Sequence, residues 1–296
     1  MLGVSTVGGP GNADPLGLVG LTPLIGLSEG DPGFCIGLVD GRVDVSHPEL
    51  ADASIHHVGD EGSNPPAPAA ITHATFAAGV LVGGRGGVVP ALVPRCTLLV
   101  CPIFGAAAQA SMPSTSPADL AYALAMLVTA GAKVINVSAE LLWPAPSSEQ
   151  CVSAALDHAA GRGVLVVGAM GNRGRLGGSV LTRHPWAIPV VACDLSGNPT
   201  PYSNLSRSSA RHGLRAPGEG VTGPAAHSGF VALTGSSVAA LLVTGAIALV
   251  WSVHRRATPH VIRTAVLGSS RRSGIVPPLL DAWRAHLILR KQGGSR

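Results

Sequence analysis

From Phe34 onward the chain alternates short, unbroken apolar runs with longer segments in which apolar residues recur at helical spacing. The runs CIGLVD (35–40), TLLVCPIF (97–104), KVINVS (133–138), GVLVVGA (163–169) and AIPVVACD (187–194) lack the alternation of a half-exposed strand. Runs of this kind suit strands buried on both faces. Strands that alternate with helices form a mostly parallel, doubly wound sheet with helices on both sides, so the expected fold class is three-layer α/β.

The helices between them carry their own punctuation. In SPADLAYALAMLVTAG, Ser116 stands as N-cap, Pro117 at the first helical position, Asp119 closes a capping box and Gly131 is the stop. A second helix is expected from about Ser148 to Ala160, with Val152, Ala155 and Leu156 on its buried face. PPLLDAWRAHLILRK (277–291) predicts a surface helix burying Leu280, Trp283 and Leu287, with Arg290 and Lys291 at its end. SVAALLVTGAIALVWSV (237–253) is the most membrane-like stretch, at the low edge of spanning length and interrupted by Gly245, and reads as a core helix. Residues 1–33 form a Gly/Pro-rich arm with one small helix expected in LVGLTPLIGLSEG (18–30). The body spans 34–290, and 291–296 is a basic tail.

Composition sharpens this picture. Hydrophobic residues make up 46% of the 296 positions but aromatics only 3%, so the core must be built from Ala, Val, Leu and Ile. The net charge is +4, yet charged residues are only 12% and no Lys/Arg block appears, which argues against a nucleic-acid partner. The five cysteines show no CxxC spacing and three lie in apolar runs, as expected of reduced core thiols. The first residues lack a basic segment followed by a continuous apolar one, so no signal peptide is expected; the expected location is cytoplasmic, without membrane association. His56, His57, His212 and His227 have no cysteine or carboxylate at ligand spacing and read as surface or loop residues. Nothing in the sequence indicates an oligomeric state.

Three segments place a reactive side chain beside small residues at a strand or helix end, where α/β sheets build their sites. The run CIGLVD ends abruptly at Asp40, and a carboxylate there needs a hydrogen-bonding partner such as an imidazole N–H. Asp44 and His47 just beyond read as turn-forming. His73 opens a run of small residues, HATFAAG, as a histidine at a helix start. Ser237 begins the long apolar helix after Gly235 and Ser236, where free N–H groups favour an anion. Each has a plainer reading alone: a turn cap for Asp40, an exposed histidine for His73 and an N-cap for Ser236 or Ser237.

Read in order, Asp, His and Ser on an α/β frame follow the subtilisin arrangement. DGRVD (40–44) resembles the Asp motif of the subtilisin-like serine proteases, the subtilases. HATFAAG (73–79) resembles HGTxxAG, GAMGNRG (168–174) resembles AAGNxG, and TGSSVAAL (234–241) resembles SGTSxATP. LRAPGEGV (214–221) is similar to the APGxxI stretch before the Ser block, and the resemblance covers roughly 16–290. It implies a subtilisin-like fold with Ser237 as nucleophile, His73 as general base and then acid, Asp40 fixing the imidazole tautomer and Asn172 as an oxyanion donor. It further implies that Ser138, Ala139, Glu140 and Gly171 line the substrate cleft. No cofactor is required; structural calcium is possible and not indicated by any acidic run. Departures from the motifs are Ala74 for Gly, Ser236 for Thr, Leu241 for Pro and Glu140 for Gly. Trp143 beside Pro144 reads either as cleft wall or as a loop anchor.

LVDGRVDVSHPEL, PRCTLLVCPIF and LRAPGEG look closest to the proteases of cyanobactin (patellamide-type) biosynthesis, which are intracellular and trim ribosomally made precursor peptides. That resemblance implies leader removal from such a precursor, with the peptide as partner. The macrocyclases among those relatives insert a helical cap between the Asp and His motifs. Here only 32 polar, loop-like residues separate Asp40 from His73, which favours hydrolysis. A non-catalytic scaffold that merely holds a peptide in the cleft is the alternative from another class.

Overall fold

The computed structural model describes residues 14–59, 67–86, 90–104, 114–138, 140–141, 146–272 and 274–293. The arm carries two one-turn helices, α1 (Pro15–Leu18) and α2 (Thr22–Ile25), where the pattern predicts one. Gly20 separates them with φ 67°, a conformation that costs glycine little.

The body opens with β1 (Cys35–Asp40), β2 (Ile55–His57), α3 (Pro68–Val82) and β3 (Thr97–Pro102). It continues through β4 (Ser114–Thr115), α4 (Pro117–Thr129), β5 (Val134–Val137), β6 (Glu140–Leu141), α5 (Pro146–Gly161) and β7 (Leu165–Ala169). Next come α6 (Val180–Arg183), β8 (Ile188–Cys193), α7 (Arg207–His212) and β9 (Leu214–Pro217). A hairpin, β10 (Val221–Pro224) with β11 (Phe230–Leu233), leads into α8 (Ser236–Val253), followed by α9 (Pro259–Leu267) and α10 (Ala282–Gly293).

Seven strands form one sheet in the order β2-β3-β1-β5-β7-β8-β9, with every neighbouring pair parallel. The five apolar runs supply its centre. The edge strands are short: β2 carries two histidines, so His56 and His57 lie on a strand, not in a loop, and β9 is four residues ending in Pro217. Helices α4 and α5 cover one face, and α3 and α8 the other. Successive residues of β1 feed opposite layers, Leu38 packing into the α3/α8 side and Val39 into the α4/α5 side.

Helix α8 is long and apolar enough to cross a membrane, but 83% of it is buried within the protein, as a core helix must be. Gly245 lets it approach the loop before β3, because a Cβ there would collide with Leu92. Helix α4 has the expected N-cap: the Ser116 hydroxyl accepts the Asp119 N–H at 3.1 Å. The capping box is modified, since the Asp119 carboxylate takes the Ser116 hydroxyl proton (2.6 Å) rather than the Ser116 backbone N–H. Helix α5 buries Val152, Ala155 and Leu156 as expected. Helix α10 departs from expectation. Leu280 is buried as expected but precedes the helix, which begins at Ala282; the buried face of the helix is Ala282, Ala285, His286 and Leu289, while Trp283 and Leu287 are half-buried. Helix α10 packs against α9, α8 and α2.

All five cysteines are free thiols. Burial raises the pKa of Cys96 and Cys101 to about 11 and that of Cys193 to about 12, so these stay protonated and unreactive.

Candidate active site

The C-terminal edge of a parallel sheet is where strand ends and helix N-termini converge, and three of the candidate residues meet there. Asp40 is the last residue of β1 and is fully buried. His73 lies in the second turn of α3, not at its start as expected, because the helix already begins at Pro68 within a proline-containing tract. Ser237 is the second residue of α8.

His73 Nδ1 lies 2.8 Å from Asp40 Oδ2 and 3.0 Å from Oδ1, and His73 Nε2 lies 3.0 Å from Ser237 Oγ. A carboxylate only accepts, so Nδ1 carries the imidazole proton and Nε2 presents its lone pair to the serine hydroxyl. Asp40 Oδ1 also accepts the Gly41 N–H at 2.7 Å, which helps offset the cost of burying the charge. Burial of His73 disfavours its charged form, but the charge and hydrogen bond of Asp40 outweigh this and hold its pKa above the ordinary 6.5.

Asn172 sits on the turn after β7, with Gly171 at φ 96° before it. Its Oδ1 accepts the Ser236 N–H at 2.8 Å, which fixes the amide; Nδ2 has no hydrogen-bond partner among the described residues. A Cβ on Gly235 would lie 2.9 Å from Asn172 Nδ2 and 3.5 Å from Ser237 Oγ, so amide and hydroxyl flank one small space. The Ser237 N–H, in the first turn of α8, has no intrahelical acceptor and adds a donor at the positive end of the helix. The arrangement can take a proton from the hydroxyl while placing donors where an oxyanion would form.

Two supports were not legible beforehand. Ser236, fully buried, accepts the Gly171 N–H at 3.0 Å while giving its own N–H to Asn172, a two-way latch between helix and turn. A serine hydroxyl suffices for this, so the Ser-for-Thr departure keeps the polar group. Asn204 clamps the same turn from outside: its Oδ1 accepts the N–H groups of Arg173 (3.2 Å) and Arg175 (2.9 Å), and its Nδ2 donates to the Met170 carbonyl (3.0 Å). Ala74 and Leu241 are both fully buried in the core, so these departures act on packing.

Of the expected cleft residues, Ser138 follows β5 and donates its hydroxyl to Asn136 Oδ1 at 2.7 Å. Glu140 is the first residue of β6, paired with Ser114 of β4. Ala139 and Trp143 lie outside the described residues. Asp44 and His47 are structural, as expected: Asp44 Oδ2 accepts the His227 N–H (2.7 Å), and the His47 ring bridges the Glu49 N–H and the Gly229 carbonyl. His227 is an exposed loop residue, but His212 ends α7 and its Nε2 is buried. Among the described residues no three His, Cys, Asp or Glu side chains gather as a metal site.

The profile of the Subtilase family matches residues 31–286. The chain belongs to the subtilase family. This subtilase is 31% identical over 210 residues to Subtilisin Savinase of Lederbergia lenta, covering 68% of the chain and 73% of that protein. It is also 31% identical to an alkaline protease of Alkalihalobacillus alcalophilus, of whose length it spans 52%. Among solved structures, the prenylagaramide maturation protease PagA superposes with a TM-score of 0.81 at 28% identity, over 91% of this chain and 98% of that one. The patellamide maturation protease PatA gives 0.78 at 28%, over 88% and 98%. The three-layer, subtilisin-like fold expected from the sequence is thus the fold of its relatives.

Proposed function

We propose that this subtilase is a serine endopeptidase in which Asp40, His73 and Ser237 form the catalytic triad and Asn172 the side-chain oxyanion donor, and that it cleaves a ribosomally made precursor peptide. The observation that carries the reading is the continuous hydrogen-bonded chain from Asp40 through His73 to Ser237, beside Asn172, whose Oδ1 is held by the Ser236 N–H and whose Nδ2 has no hydrogen-bond partner among the described residues. Neutral His73 takes the hydroxyl proton as Ser237 Oγ attacks the scissile carbonyl. The carbonyl oxygen then becomes an anion held by Asn172 Nδ2 and the Ser237 N–H. His73, now protonated and stabilised by Asp40, delivers its proton to the departing amine, leaving an acyl-enzyme. Water, deprotonated by His73, attacks the acyl group and restores the serine. No metal or cofactor is needed in any of these steps.

The precursor as substrate is supported by the two maturation proteases among the structural relatives and by how much of each this chain overlays. Between β1 and α3 the described residues hold only a three-residue 3₁₀ helix (Pro48–Leu50) and β2, with no helical cap to exclude water, which supports hydrolysis over cyclisation. A cytoplasmic location fits the five free thiols. The test is incubation with candidate precursor peptides and mass spectrometry of the products. Linear fragments separated by one hydrolysed bond, absent with Ser237→Ala, are expected. A cyclic product would contradict the hydrolytic reading, and no product from any peptide that binds would contradict the catalytic one.

A further inference from the structure

The opposite edge of the sheet holds a second concavity. Phe34, Lys133 and Val164 each stand one residue before β1, β5 and β7, which are consecutive in the sheet. With Trp251 and Arg255 at the far end of α8, they line a cavity of 430 Å³. Asp40 ends β1 at the other edge, and Ser237 is fourteen residues from Trp251 along α8, about 21 Å at 1.5 Å per helical residue. The cavity is therefore separate from the triad.

Its floor is apolar and its rim cationic. Phe34 and Trp251 pack edge to face with centroids 5.5 Å apart, and the Trp251 indole N–H is already given to the Ala257 carbonyl. The charged groups around the cavity are Lys133, Arg162, Arg255 and Asp31, and Asp31 is neutralised by Arg255 at 2.7 Å. Lys133 and Arg162 are exposed and have no carboxylate partner among the described residues, which leaves two uncompensated positive charges at the mouth.

We propose that this cavity is a second peptide-binding site, which takes an acidic segment of the substrate lying outside the scissile cleft. An apolar side chain seats on Phe34 and Trp251, and carboxylates meet Lys133 and Arg162. The proposal rests on the reading of the chain as a peptide-cleaving enzyme. A small inorganic anion would leave the apolar floor uncovered and would find its cations solvated at the rim instead of converging on it. A neutral apolar peptide would leave both cations unmatched. An extended chain advances about 3.3–3.6 Å per residue, so the acidic segment and the scissile bond must lie at least about six residues apart in one substrate.

The test uses the full chain carrying Ser237→Ala, so that no turnover is involved, and a fluorescein-labelled peptide alternating glutamate and leucine, followed by fluorescence anisotropy. Binding is expected to weaken about tenfold or more in K133E/R162E and to decline with added salt, because both charges are exposed. A lysine–leucine counterpart is expected not to bind. Equal affinity of the double variant, or displacement of the peptide by inorganic phosphate at equal concentration, would overturn the proposal. Equal melting temperatures of the two proteins exclude misfolding as the cause. Fluorophosphonate labelling of Ser237, in K133E/R162E and in the unmodified chain, is expected to be the same. Labelling absent from both would count against the catalytic reading alone and leave the binding result to decide this one.

Discussion

At the scale of single residues, the proposed mechanism makes the protonation of His73 decide whether the site can act. It must be neutral to accept the Ser237 proton, and Asp40 holds its pKa above 6.5. The pH profile of kcat/KM should therefore rise through a limb on the alkaline side of 6.5. In Asp40→Asn burial acts alone, so the limb should move to lower pH and the rate fall by about four orders of magnitude, as the imidazole loses its tautomer. The same shift has a consequence for stability. The Asp40–His73 pair stabilises the fold below the unfolded-state pKa of histidine and loses that contribution as the pH rises through the elevated folded one. Asn172→Ala should lower kcat by about two to three orders of magnitude with KM little changed, the loss found for such a donor in a subtilisin. Asn204→Ala leaves the donor present but unclamped. Its kcat should fall less, by about tenfold, and Asn204→Asp, which keeps the acceptor for Arg173 and Arg175, should recover part of it.

At the scale of elements, the β11–α8 junction carries the geometry. Gly235 has φ 156° and ψ 168°, a region essentially reserved for glycine, and a Cβ there would press on Asn172 Nδ2. Gly235→Ala should therefore abolish turnover, with far-UV circular dichroism showing the fold retained. Leu241, fully buried on the same helix, should cost about 2–5 kcal/mol in urea unfolding when changed to alanine. These elements differ in how far they could be read from the sequence. The central strands were legible because burial on both faces leaves an unbroken apolar run. The β10–β11 hairpin was not, since its second strand alternates between exposed and half-buried positions and its glycines carry no periodicity. The start of α3 was hidden because Pro68 at the first helical position looks, in sequence, like part of a proline-rich loop. Asp40, His73 and Ser237 were legible as a set because their order and flanking small residues match one chemistry. The Ser236 latch and the Asn204 clamp were not, because a turn held by side chain to backbone bonds has no pattern in residue spacing.

At the scale of the whole molecule, the arm packs Val19, Leu21 and Leu24 into the core and is bonded to the body by the Ala282 N–H to the Val19 carbonyl (2.8 Å) and the Arg95 N–H to the Glu29 carbonyl (2.9 Å), and one guanidinium reinforces the join. Arg85 donates to the carbonyls of Ile25 and Ser28 in the arm and of Ala91 and Leu92 in the body. Arg85→Ala removes these bonds and should cost about 2–4 kcal/mol, read as a drop of several degrees in Tm, while the distant triad remains reactive. Two edges of one sheet thus carry different groups. The C-terminal edge gathers Asp40, His73 and Ser237, and the N-terminal edge presents a cavity with a cationic rim about 21 Å away along α8. The central claim is that the first of these is a working nucleophilic site, and its most direct measurement is fluorophosphonate labelling of the folded protein, with the modified peptide located by mass spectrometry. A single adduct is expected on Ser237, absent in Ser237→Ala and formed far more slowly in Asp40→Asn. Folded protein that takes no label, or takes it elsewhere, would contradict it.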